Sequence, residues 1–137
     1  MASTRPVLIT SLAAILMMVS LNTPAQADSR ADIINYFAAQ ATGPANPAKG
    51  AKLYSQAFNN GKPDTPSCTT CHGKTPKQEG QTRTGKTIAP MAVSQTPDRF
   101  TDLKKVNKWF GRNCKSVIGR ECTAQEKVDF LTYLSQQ

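Results

Sequence analysis

The chain has 137 residues, 39% of them aliphatic, aromatic or cysteine, and a formal charge of +8 from 17 Lys and Arg against 9 Asp and Glu. Such a length holds one domain with a modest core and excludes a large multidomain machine. The basic surface favours acidic partners rather than nucleic acid, since no basic recognition helix stands out and the chain opens on an export leader.

That leader comes first. Arg5 supplies a weakly basic start, Val7 to Leu21 is an apolar run diluted by Thr10, Ser11 and Ser20, and Ala25-Gln26-Ala27 is a small-residue cleavage site. The pattern predicts a secretory signal peptide over residues 1–27 and a mature domain over 28–137. The run is short for a membrane span and no stop-transfer pattern follows it. The expected location is the periplasm, with no stable membrane insertion after cleavage.

Asp28-Ser29 offers an N-cap for a first helix reaching Ala39, with Ile33, Ile34 and Phe37 as its apolar positions. Gly43-Pro44 and Asn46-Pro47 break it. A second helix is predicted from Ala48 to Phe58, with Gly50, Leu53, Tyr54 and Phe58 near one face. Gly50, one turn before Tyr54, would let a partner helix approach closely.

A turn-rich stretch, Asn59 to Pro66, leads into Ser67-Cys68-Thr69-Thr70-Cys71-His72. Two cysteines separated by two residues and followed by histidine are the attachment signature of a c-type haem. Each thiol can add to one vinyl group, and the adjacent imidazole reaches the iron from the same side. A thioredoxin-like reading wants a βαβ context, and a zinc site wants four ligands from paired clusters. Neither is visible, and His72 is the only histidine of the chain. One haem c is therefore the expected cofactor, held by Cys68, Cys71 and His72. In an oxidising compartment the two remaining cysteines could pair.

From Gly73 to Lys86 the chain is polar, with Lys74, Lys77 and Lys86, and reads as surface loop that could rim the haem edge. Ile88 to Val93 is a brief apolar return interrupted by Pro90, suited to a pocket wall that includes Met91. Leu103, Val106 and Phe110 then recur at helical spacing, with Trp109 beside them and lysines opposite. Taken alone, Asn113 would be the C-cap that ends this helix. Thr123 to Glu126 is a capping-box pattern opening a terminal helix with Val128, Leu131 and Leu134, able to cross the Gly50 helix. No useful stretch alternates with period two. The fold class is all-α.

Gly50 and Tyr54 before the haem motif, the motif itself and the aromatic-bearing terminal helix resemble the class I cytochrome c fold. A narrower resemblance is carried by Lys108-Trp109-Phe110-Gly111-Arg112-Asn113-Cys114 and Gly119-Arg120-Glu121-Cys122-Thr123-Ala124-Gln125-Glu126. These are similar to the sphaeroides haem protein (SHP) family, small periplasmic cytochromes grouped under a DUF1924 domain. The resemblance implies that Asn113 is the sixth ligand of the ferric haem and that Cys114 and Cys122 form a disulfide. It also implies that the asparagine leaves on reduction, so that the ferrous iron can bind oxygen or nitric oxide. An amide oxygen is a hard, neutral ligand that tolerates Fe(III) better than Fe(II). Bridging the loop of about nine residues that these two cysteines enclose would constrain the unfolded chain by about 2.5 kcal/mol in the entropic account.

The implied redox partner is another cytochrome, multihaem c-type or membrane b-type, and Trp109, Phe110 and Ile88 would line the cavity. A competing reading is a low-spin electron carrier with Met91 as sixth ligand, although Met91 lies closer to His72 in sequence than is usual. A third is turnover of oxygen, nitric oxide or peroxide. Without a second histidine there is no obvious distal acid or base, and Arg112 reads as solvated surface charge. Electron transfer with diatomic-gas binding is thus expected over catalysis.

Overall fold

Helix α1 (Ala25–Ala38) opens the part of the chain that the computed structural model describes, residues 25–137. The expected leader up to residue 24 lies outside the described residues, and the expected cleavage point after Ala27 falls in the first turn of α1. The helix thus starts upstream of the Asp28-Ser29 cap that the sequence suggested. After it come α2 (Pro47–Ser55), α3 (Thr69–His72), a two-stranded antiparallel pair β1 (Gly80–Gln81) and β2 (Thr87–Ile88), α4 (Leu103–Val117) and α5 (Ala124–Ser135). The fold is all-α apart from that short pair.

Local chemistry accounts for the helix starts. The Asn46 side chain accepts from the amides of Ala48 and Lys49, and Pro47 occupies the first helical position of α2, where its missing N–H costs nothing. Asp102 caps α4 through the amide of Lys105. At α5 the full capping box forms: Thr123 Oγ1 accepts from the Glu126 amide, and the Glu126 carboxylate accepts from the Thr123 amide. Arg120 clamps the same carboxylate through both its terminal nitrogens, which holds Glu126 below the usual carboxylate range.

Helices α2 and α5 cross at Gly50. A Cβ there would collide with the backbone carbonyl of Asp129 and with Tyr133, so the two helices meet backbone to backbone. Asp129, itself buried, accepts from the Asn46 amide and from Gln125, joining the start of α2 to the middle of α5. One core cluster joins Ile33 and Phe37 of α1 to Val106, Val128 and Leu131. A second gathers Tyr54, Met91, Phe130 and Leu134. The third surrounds the Cys114–Cys122 disulfide with Val117 and Ile118.

Three further boundaries differ from expectation. Helix α2 stops at Ser55, because the Phe58 amide pairs with Pro66 in the following loop. The polar stretch after His72 is not all loop but contains β1 and the turn, closed by Thr82 and Lys86, that pairs it with β2 just beyond. Helix α4 runs on past Asn113 to Val117, with Ile118 as its C-cap. Asn113 is therefore an interior helical residue and not a cap. Burial of Cys114, Val117 and Ile118 against the 58–68 loop extends the helix through the Gly111-Arg112-Asn113 stretch that reads locally as a stop.

Candidate haem site

A cavity of about 910 Å³ opens between α3, the β2 strand, the 96–102 turn and α4. It lies near the top of the roughly 300–1,000 Å³ span of small-molecule sites. Cys68, Cys71 and His72 border it from one side, and Val106, Trp109, Phe110 and Asn113 of α4 also line it.

The His72 side is fixed from several directions. The Tyr54 hydroxyl of α2 lies 2.9 Å from the carbonyls of both His72 and Gly73, so its one proton is shared between them. Burial pushes that phenol above its ordinary range. At the base of the strand pair, a Cβ on Gly80 would overlap the Cys71 carbonyl, so the strand pair rests directly on the attachment motif. Cys68 and Cys71 are free thiols, and burial pushes the Cys68 thiol up to about 11. The His72 imidazole is pushed down to about 4, first by burial and then by the nearby Arg99 guanidinium. A neutral imidazole keeps a lone pair for a metal at neutral pH. Its Nδ1 is buried with no hydrogen-bond partner among the described residues. Two thiols and a neutral imidazole on one wall of a cavity of this size fit a covalently anchored haem.

Sequence reading missed Arg99. It is half-buried on the cavity wall, where Nε donates to the Pro90 carbonyl at 3.1 Å and a terminal nitrogen donates to Ala89. Arg30 of α1 in turn donates to the Arg99 carbonyl at 3.0 Å. The next residue, Phe100, has φ 64, a left-handed conformation that costs a non-glycine residue of order 1–3 kcal/mol. The strained turn carries Arg99 on the wall and Phe100 in both neighbouring core clusters. Arg99 has no carboxylate partner among the described ion pairs, which suits it to a carboxylate of a haem. No local pattern announces such a residue, because its side-chain acceptors are backbone carbonyls, which every residue possesses.

The Asn113 side is simpler. Asn113 is half-buried, placed on the cavity by α4 alone, and the adjacent Cys114 is bonded to Cys122 with the Cα atoms 5.6 Å apart. Thr65 and Ser116, a hydroxyl pair 2.9 Å apart, tie the α4 backbone one turn further on to the loop before the motif. Met91 also borders the cavity and is 8% exposed. It packs with Tyr54, Phe130 and Leu134, and the amide of Ala92 donates to Pro76, a few residues beyond His72. The cluster that holds Met91 touches Cys68 of the attachment motif and Phe110 of α4 alike. Ile88 and Phe110 line the cavity as expected, whereas Trp109 lines its mouth and is 47% exposed. Lys86 reaches the cavity, but Lys74 and Lys77 do not border it. Arg112 lies over the Trp109 ring, outside the lining.

A family model described as a domain of unknown function, DUF1924, matches residues 40–134. The chain is 56% identical over 109 residues to the cytochrome c-type protein SHP of Cereibacter sphaeroides, covering 80% of this chain and 84% of that protein. It is 39% identical over 83 residues to cytochrome c'' of Methylophilus methylotrophus, covering 56% of this chain and 58% of the relative. Among solved structures, oxidised SHP, an oxygen-binding cytochrome c, superposes with a TM-score of 0.77 at 56% identity, over 79% of this chain and 96% of that one. Oxidised cytochrome c'' superposes with a TM-score of 0.67 at 26% identity, over 80% and 95%.

Proposed function

The chain belongs to the DUF1924 family and is a c-type cytochrome with one covalent haem c, and from that premise we propose that His72 and Asn113 are its axial ligands. Cys68 and Cys71 are the thioether anchors. The protein accepts an electron from a partner cytochrome, multihaem c-type or membrane b-type, in the periplasm after removal of residues 1–27. The haem supplies a one-electron centre that holds oxygen or nitric oxide once its sixth position opens. Asn113 controls that opening by binding the oxidised form weakly and leaving the reduced one.

The observation that carries this reading is that Asn113 borders the cavity shared with His72 from the interior of a helix, immediately before a bridged cysteine. A carboxamide on a firm backbone can be held near a metal without a strong bond of its own. The disulfide limits motion of the backbone beside it, so what leaves on reduction is a side chain and not a helix. SHP, the relative with the most extensive identity described above, is an oxygen-binding cytochrome c, which supports the gas-binding part. Met91 is the competing ligand; it is packed into the core cluster of Tyr54, Phe130 and Leu134 and lacks the bridged cysteine that stands beside Asn113.

The test is an anaerobic titration of the reduced holoprotein with nitric oxide and, separately, oxygen. The expected ferrous form is five-coordinate and high-spin, and it takes up either gas without any substitution. A six-coordinate low-spin ferrous form that ignores both would leave a conventional carrier.

A further inference from the structure

Helix α4 has a second face that the haem site does not use. Lys104, Lys108 and Arg112 repeat at every fourth residue along its exposed side, and α4 contains no Asp or Glu. Like charges at that spacing repel one another and work against the helix. Among the described residues none of the three has a carboxylate within ion-pair distance. Between this row and the cavity mouth stand Lys105 and Trp109, both of which line the cavity. Trp109 is one of only two large apolar side chains exposed among the described residues, with Lys108 and Arg112 each 5.6 Å from its ring centroid. Cation–π contact with those two side chains orients the indole outward, and an exposed aromatic rimmed by charge is the composition of a protein-contact site.

We propose that the Lys104–Lys108–Arg112 row, with Trp109 as its apolar centre, is the docking face for an acidic one-electron redox protein, which therefore binds on the helix that carries Asn113. The row supplies steering through complementary charge, and Trp109 supplies a contact that can be desolvated beside the cavity. One electron leaves the reduced centre of the partner and is taken by the ferric iron, which becomes ferrous. No bond to the partner forms, and no proton need move. This rests on the electron-accepting part of the proposed function and not on the identity of the sixth ligand.

The experiment uses oxidised holoprotein and two donors in rapid kinetics: a reduced plant-type [2Fe–2S] ferredoxin, which is acidic and low in potential, and photochemically generated lumiflavin semiquinone, which is small and neutral. Two triple variants carry the same change in net charge. One is Lys104→Glu, Lys108→Glu and Arg112→Glu. The other is Lys49→Glu, Lys52→Glu and Lys77→Glu, at exposed positions that do not line the cavity.

With ferredoxin at low salt the α4 triple is expected to react at least tenfold more slowly than the unaltered protein, and the comparison triple within threefold of it. Trp109→Ala alone is expected to slow ferredoxin severalfold at any salt. Lumiflavin should reduce both triples within twofold of the rate for the unaltered protein. Should the α4 triple fail to fold, the corresponding Lys→Gln and Arg→Gln triple is expected to show the same order of rates with a smaller spread. Equal slowing by both triples would mean that net charge alone steers the partner, and an unchanged rate for the α4 triple would place docking elsewhere. Either result overturns the proposal. Failure of lumiflavin to reduce any form would instead overturn the electron-accepting reading itself.

Discussion

The two flanks of the cavity are built to different standards. On the His72 side, α3 is one turn long and could not persist alone, so it is fixed by two independent devices, the shared Tyr54 hydroxyl and the Gly80 contact, to which the proposed thioether bonds of Cys68 and Cys71 would add a third. On the Asn113 side a single side chain projects from a 15-residue helix that is stable by its own cap, its buried stripe and the disulfide that follows. The first side fixes the backbone on which His72 stands at several points. The second fixes a helix backbone and leaves the Asn113 side chain without a partner of its own among the described residues. On the function proposed above, in which one ligand is kept and the other released, that asymmetry is what the site needs.

Substitutions on the first side should therefore destroy or weaken the protein, and those on the second should change only its spectroscopy. The largest effect is expected from Cys68→Ala combined with Cys71→Ala, which removes both anchors. Haem staining after denaturing electrophoresis should fall to background, where the unaltered protein stains. Next comes Gly50→Ala, which pushes a methyl group into the α5 backbone and displaces the helix that carries Tyr54. Overpacking of this kind costs about 1–3 kcal/mol, read as a lower melting temperature of the holoprotein. Tyr54→Phe keeps the ring but removes the donor to the His72 and Gly73 carbonyls. A loss of about 1–2 kcal/mol is expected in denaturant unfolding, with covalent haem retained.

The smallest effect falls on neither side. Thr123→Ala removes half of the capping box at α5 and should cost about 1 kcal/mol without altering the absorption spectrum. The carboxylate of that box gives the sign of a pH dependence. Arg120 lowers the pKa of Glu126, so its contribution is present above the ordinary carboxylate range and is lost as pH falls through the folded-state value. The stability gap between the unaltered protein and Glu126→Gln should accordingly shrink in acid. A gap that widens in acid would contradict the assignment.

The asymmetry between the two flanks also marks what a sequence can disclose. Cap chemistry and helical spacing are local, so the capping box of α5, the apolar stripe of α4 and the Gly50 crossing were legible from residues a few positions apart, whereas the Asn46-Pro47 pair that caps α2 read only as a break. The attachment motif was legible because its spacing is itself the chemistry. The end of α4 was not, because Gly111-Arg112-Asn113 carries a stop signal that is outweighed by burial of Cys114, Val117 and Ile118 against a loop about fifty residues upstream. Arg99 and the Tyr54 hydroxyl escaped for another reason: their partners are carbonyls, which every residue possesses. Asn113 itself looked like a helix cap until its family resemblance was weighed. Only the extension of the helix past it turns the side chain from a terminator into a residue on a cavity wall.

The central claim is that the replaceable flank is Asn113 and not Met91. The most direct measurement is the ferric absorption and electron paramagnetic resonance spectra of holoprotein carrying Asn113→Ala, set beside those of Met91→Ala. The account predicts that Asn113→Ala changes the ferric coordination signature, with covalent haem retained and ferrous nitric oxide binding intact, and that Met91→Ala leaves the signature as it was. A ferric spectrum altered by Met91→Ala and indifferent to Asn113→Ala would contradict it.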